Sequence, residues 1–148
     1  MLLSSGSAAR RPGLRNPDMA ENPASRAVGV AFVQAIELRD FDRLEAVLAP
    51  AIRFRALVPS SCRRASCAAD TRRMIEGWFA GCERVDVESM HVCDIADRLH
   101  VGYRLRVHDP GGCYLLEQQG YGDVAEGRLT SLSLVCSGFL PADEVPPR

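Results

Sequence analysis

The sequence predicts an α+β domain, with helices packed on one face of a bent antiparallel sheet. Two patterns carry that expectation. Before residue 82, three segments repeat apolar residues at helical spacing, interrupted by one alternating stretch from Ile52 to Val58. Beyond it, four segments alternate with period two and are joined by turn-forming pairs, the signature of consecutive hairpins.

The chain of 148 residues, with 47% hydrophobic and 25% charged residues, has the make-up of a single globular domain with a real core. Its formal charge of −1 gives no electrostatic reason to expect nucleic acid, which needs a basic surface to replace phosphate counterions. The arginine clusters "AARRPGLR" and "CRRASC" are assigned to a tail and a loop. No run of about 18 apolar residues exists, so no membrane partner is expected. The first residues lack the apolar core of roughly 7–15 residues that a signal peptide needs, so a cytoplasmic location is expected. Residues 1–23, with three prolines and many small polar residues, read as a disordered tail, and Met19 is a second candidate start. The domain is expected over residues 24–141, followed by a short C-terminal tail, 142–148.

Each element follows in order. Ser25 is a candidate N-cap for a first helix, whose Val28, Ala31, Phe32, Ala35 and Ile36 share a face as far as Leu38. Asp40 caps a shorter helix carrying Phe41, Leu44, Val47 and Leu48, and Pro50 is expected to end it. Ile52, Phe54, Ala56 and Val58 then alternate with polar neighbours as a half-buried strand. Ser60–Ala69 reads as a loop, and Asp70 as the cap of a third helix with the stripe Met74, Ile75, Trp78 and Phe79, leaving at Gly81. The strands "VDVESMHVCDI", "RLHVGYRLRVHD", "CYLLEQQGYGDV" and "RLTSLSLVCSGFL" are separated by "AD", "PGG" and "EG".

Six cysteines, at 62, 67, 82, 93, 113 and 136, include no C-x-x-C pair, so no metal site is expected. Cys62 and Cys67 are expected as free thiols in a loop, the others as small apolar side chains. No phosphate-cradling glycine loop is present either, and no cofactor is expected.

The order helix, short helix, strand, helix, four strands resembles the nuclear transport factor two-like superfamily, which includes SnoaL-like cyclases and ketosteroid isomerases. "AIELRDFDRLEAVLAPAIRF", "DTRRMIEGWF" and "DVAEGRLTSLSLVCSGFLP" carry the resemblance. It implies a cone whose curved sheet encloses a pocket, and a homodimer through the outer sheet face. It does not imply one activity. Sites of the ketosteroid isomerase-like and SnoaL-like kind depend on a carboxylate base inside the cone, and this chain has Ala51 where such an acid is expected.

Register can be argued from the turns. With Glu126-Gly127 as a two-residue corner, Tyr121 lies opposite Leu132, Gln119 opposite Leu134 and Glu117 opposite Cys136. With "PGG" as a three-residue loop, Tyr103 falls opposite Gln119 and Leu105 opposite Glu117; a two-residue turn would instead pair Tyr103 with Gln118. The three-residue choice gives one apolar face holding Val101, Tyr103, Leu105, Val107, Leu115, Glu117, Gln119, Tyr121, Met90 and Val92. His91, His100, His108, Arg104 and Arg106 fall outside.

Glu117 and Gln119 then project among apolar side chains, where polar groups are costly unless satisfied. They are either a satisfied core pair or the polar groups of a ligand cavity. Trp78 is either core or pocket wall. Two functions stay open. One is a binder of a small hydrophobic molecule, with Gln119, Tyr121, Trp78 and Met90 lining the site and no catalytic dyad. The other is a cofactor-independent isomerase, cyclase or dehydratase acting on a polycyclic or aromatic substrate, with Glu117 as general base and Tyr103 or Gln119 stabilising the oxyanion.

Overall fold

The computed structural model describes residues 22–144, so most of the expected N-terminal tail, residues 1–21, lies outside the described residues, as do residues 145–148. Helix α1, Pro23–Leu38, starts one turn earlier than expected. Asn22 is its N-cap, accepting from the Ala24 N–H at 3.1 Å, and Pro23 fills the first helical position, where no N–H is needed. Ser25 therefore lies inside the first turn. The helix ends in a left-handed cap at Arg39, whose guanidinium donates to the carbonyls of Cys82 and Glu83.

Asp40 caps α2, Phe41–Ala46, accepting from the Arg43 N–H at 3.0 Å, as expected. Pro50 does not end it. The chain has already entered β1, Leu48–Val58, and Pro50 occupies the stretch where pairing with the neighbouring strand is interrupted between Leu48 and Arg53. A residue without an N–H is tolerated there because no ladder bond is lost. The segment expected as a loop contains β2, Ser61–Ala65, paired antiparallel with β1. It shows no apolar alternation because it is an exposed edge strand, and its arginines suit an edge. Helix α3, Ala68–Phe79, is capped by Cys67 rather than Asp70: the thiol accepts from the Asp70 N–H, and Thr71 Oγ1 donates to the Cys67 carbonyl at 2.9 Å.

Four long strands follow: β3 Arg84–Ile95, β4 Arg98–Asp109, β5 Gly112–Ala125 and β6 Arg128–Cys136. A short β7, Leu140–Pro141, pairs with β5, and a 3-10 turn covers Ala142–Glu144. The sheet order is β2-β1-β6-β5-β4-β3. Neighbours are antiparallel except β1 and β6, which run parallel, so the curved, unclosed sheet is mixed. Helix α1 packs on β3 and β4, and α3 on β1. Phe32 and Ile36 of α1, Phe54 of β1, Phe79 of α3, Leu105 of β4 and Leu132 of β6 are among the core residues with almost no exposure.

The strand faces differ from the sequence expectation at β5. The corner at Glu126-Gly127 does pair Ala125 with Arg128, but the ladder slips one residue further on, from Val124↔Leu129 to Asp123↔Ser131. Thr130 is the extra residue. Its hydroxyl donates to the Asp123 carbonyl at 3.2 Å, and Ser131 Oγ donates to Asp123 Oδ2 at 2.6 Å, holding the bulge. At the other end of β5 the turn is the two-residue Pro110-Gly111, with Asp109 opposite Gly112 and its carboxylate accepting from the Gly111 N–H at 2.7 Å. Both changes move β5 by one residue, and a one-residue shift turns every side chain to the other face. The inner face holds Leu116, Gln118, Gly120 and Gly122, and the outer face Leu115, Glu117, Gln119 and Tyr121.

Candidate functional site

On the inner face Tyr103 of β4 lies directly opposite Gln118 of β5. Tyr103 is 2% exposed and Gln118 is 1% exposed, so both polar groups are out of reach of bulk water. The Tyr103 hydroxyl donates to Gln118 Oε1. Burial pushes the Tyr103 phenol far above its ordinary value of 10.0, with a smaller contribution from Cys136, so it stays a neutral donor. The bond leaves Gln118 Nε2 with no partner among the described residues. A buried amide N–H without a partner is rare in native interiors and costs about 1–3 kcal/mol.

Gln118 forms part of the wall of a cavity of about 110 Å³. Trp78 and Phe79 of α3, Leu116, Cys136 and Val58 make up most of the remainder, and Pro59, Gly138 and Phe139 complete it. Aromatic rings dominate: Trp78 meets Phe54 and Phe79 with centroids 6.5 Å away in each case, and Phe79 meets Phe139 at 6.1 Å. Phe139, 42% exposed, gives this wall an edge that reaches solvent. Among the residues lining the cavity none is Asp, Glu or His.

The expected site residues therefore divide. Tyr103 is inside, as expected. Trp78 is both half-buried core and cavity wall. Met90 lies opposite Tyr103 in the register that was expected, but it is 41% exposed and does not line the cavity. Glu117, Gln119 and Tyr121 are corrected to the outer face by the shift in β5. There Glu117 pairs with Arg104 at 2.6 Å, Gln119 accepts from His100 at 2.9 Å, and Tyr121 stacks on His100 at 5.0 Å. The general-base role given to Glu117 required an inner position that it does not have. Gln118 takes its place beside Tyr103, the pairing that a two-residue turn at "PGG" gives. His91, His100 and His108 are on the outer side as expected.

A larger concavity of about 610 Å³ lies on the outer side of β1 and β6. Arg53, Arg55, Arg64 and Arg98 line it together with Asp123, Ser131 and Ser133, and it has no enclosed apolar wall of the kind found inside.

No protein-family model matches the sequence, and no curated protein matches it. Solved structures do. An LEH-like epoxide hydrolase from M. tuberculosis is similar at a TM-score of 0.61 and 16% identity, over 78% of this chain and 84% of that one. A candidate ketosteroid isomerase from Kribbella flavida is similar at 0.59 and 19% identity, over 85% and 84%. A SnoaL-like polyketide cyclase candidate from Shewanella putrefaciens is similar at 0.62 and 13% identity, over 78% and 91%. The curved sheet, the three helices against it and these likenesses together show that the chain has the nuclear transport factor two-like α+β fold.

Proposed function

We propose that the chain is a SnoaL-like binding protein for a small hydrophobic molecule that carries one hydrogen-bond acceptor. The observation that supports it is the unpartnered Gln118 amide in the wall of an otherwise apolar cavity. A ligand carbonyl or ether oxygen would satisfy Nε2, while its carbon body lay against Trp78, Phe79 and Leu116. Tyr103 has a positioning role: by donating to Oε1 it turns the amide so that its N–H groups remain for the ligand.

Volume limits the ligand. Pockets for drug-sized molecules measure roughly 300–1,000 Å³, whereas this cavity is about 110 Å³. The guest is a molecule of a few heavy atoms, or one end of a longer molecule leaving past Phe139. Proton abstraction has less support, because the cavity wall contains no carboxylate or imidazole among the described residues.

The homodimer that the family resemblance implies remains part of the proposal. On the outer face Leu57 of β1 and Val135 of β6 lie opposite one another and are 54% and 56% exposed, an apolar strip suited to a second copy.

Binding is tested with cyclohexanone against methylcyclohexane, which has similar bulk but no acceptor. Trp78, the chain's single tryptophan, and backbone amide shifts report occupancy. Cyclohexanone is expected to bind, and Gln118→Leu to remove its advantage over methylcyclohexane, about five-fold for one hydrogen bond of ~1 kcal/mol. Equal binding of the two probes by the unaltered protein would overturn the reading.

A further inference from the structure

Outside the cone, the hairpin of β3 and β4 brings three metal-ligating side chains together. Cys93 pairs with His100 across the hairpin, and His91 lies two residues before Cys93 on the same face. One ligand atom from each of the three falls within 4.8 Å of the others. Cys93 Sγ and His100 Nδ1 are 3.8 Å apart. A tetrahedral zinc ion with Zn–S of about 2.3 Å and Zn–N of about 2.1 Å needs roughly 3.6 Å between those two atoms. That edge is nearly formed, and the His91 ring lies beside it, its centroid 5.7 Å from that of His100.

His100 is also oriented as a metal-binding histidine is. Its Nε2 faces Gln119 Oε1 at 2.9 Å; the oxygen can only accept, so Nε2 donates, and the other ring nitrogen, Nδ1, lies toward Cys93. Histidines that hold metals almost always donate their other N–H in this way. Tyr121 lies against the ring, tilted to it, with centroids 5.0 Å apart. Gln119 reaches His100 by lying over Gly102, where any Cβ would collide with its amide. This set of supports serves no part of the inner cavity.

The geometry points to a divalent-metal site formed by His91, Cys93 and His100 on the outer face, with solvent in the fourth position. Two imidazoles and one thiolate are a borderline-soft donor set that suits zinc and accepts cobalt, and disfavours magnesium and calcium. Coordination transfers the Cys93 thiol proton to solvent and forms a metal–thiolate bond, with no redox change. The proposal departs from the expectation drawn from the missing C-x-x-C pair, because here a tight hairpin brings ligands from two strands opposite one another.

The test is titration of the full chain, without added affinity histidines and with a non-thiol reductant, first with cobalt and then with zinc in competition. One metal per chain is expected, with a thiolate-to-cobalt absorption band that zinc abolishes. Cys93→Ser should remove the band, and His91→Ala or His100→Ala should weaken zinc binding at least ten-fold. Gln119→Leu, which touches no metal, should weaken it about ten-fold through the lost orientation of His100. Cys62→Ser with Cys67→Ser should change nothing. A band that survives Cys93→Ser, zinc affinity unchanged in both histidine variants, or no binding by the unaltered chain would each overturn the proposal. Ketone binding in the cone is measured separately, so either reading can fail alone.

Discussion

Arg104 and Glu117 face each other across β4 and β5 on the outer side of the sheet, with their charged atoms 2.6 Å apart. Glu117 is about one-third exposed, so water screens the pair. Glu117→Gln is expected to lower stability by about 1 kcal/mol or less, the range of surface ion pairs, and to leave ligand binding in the cone unchanged. Urea denaturation together with ketone titration checks both. A large loss of binding with unchanged stability would return Glu117 to the functional site.

Inside the cone, Tyr103 and Gln118 should be strongly non-additive. Tyr103→Phe leaves Gln118 Oε1 without its donor, and Gln118→Leu leaves the Tyr103 hydroxyl without its acceptor. Tyr103→Phe is expected to cost about 1–3 kcal/mol. The double variant, in which neither polar group remains, should be more stable than the sum of the singles by at least about 1 kcal/mol. A double-mutant cycle by chemical denaturation measures the difference, and simple additivity would show that the bond contributes nothing.

The same burial predicts an alkaline limb. The folded-state value of Tyr103 is raised above 10.0, so the native chain keeps a proton that the unfolded chain gives up above about pH 10. Its contribution is fully present below that pH and is lost as the pH rises, by up to about 1.4 kcal/mol per unit. Tyr103→Phe should lack this slope. Parallel slopes in the two proteins between pH 10 and 11 would argue that the phenol is not buried in solution.

At the cavity's edge, Gly138 has φ of 77°, and an added Cβ would stand 2.7 Å from Pro59 Cγ. Gly138→Ala is expected to cost roughly 1–2 kcal/mol for the left-handed backbone, plus displacement of Pro59. Because both residues line the cavity, ligand exchange should also change. Thermal unfolding and exchange line-shapes report the two effects.

The outer strip is tested by sedimentation. The chain is expected to be a dimer at high micromolar concentration, and Leu57→Lys with Val135→Lys to be a monomer. A monomeric parent, or a variant dimer of unchanged stability, would remove that strip as the interface.

Residue spacing explains what could be read before the structure was known. β4 was legible because Leu99, Val101, Tyr103, Leu105 and Val107 recur at every second position, between His100, Gly102, Arg104 and Arg106. β5 was not, because two of its inner positions are Gly120 and Gly122, whose space is taken by Leu132 and Leu134 of β6 and by the β6 backbone. A missing side chain declares no face, so Leu115 and Tyr121 made the wrong face look apolar. The choice of a three-residue turn then agreed with the undetected bulge, and one error supported the other. The signal was present in β6: Leu129, Leu132 and Leu134 are all buried, and a step of three followed by a step of two requires one extra residue near Thr130. The exposed β2 and the cluster at His91, Cys93 and His100 had no apolar period to reveal them.

The parallel pairing of β1 with β6 has a kinetic consequence. β3 to β6 join through tight hairpins and can zip locally, but Phe54 meets Leu132 only after the chain between them has formed. As the polypeptide leaves the ribosome, β1 emerges long before the strand that pairs with its inner edge. Such late, long-range closure slows folding and leaves hydrophobic surface open to wrong partners in the meantime. The stretch ending at Cys136 thus acts as a clasp on β1, which has no partner on that edge until it arrives.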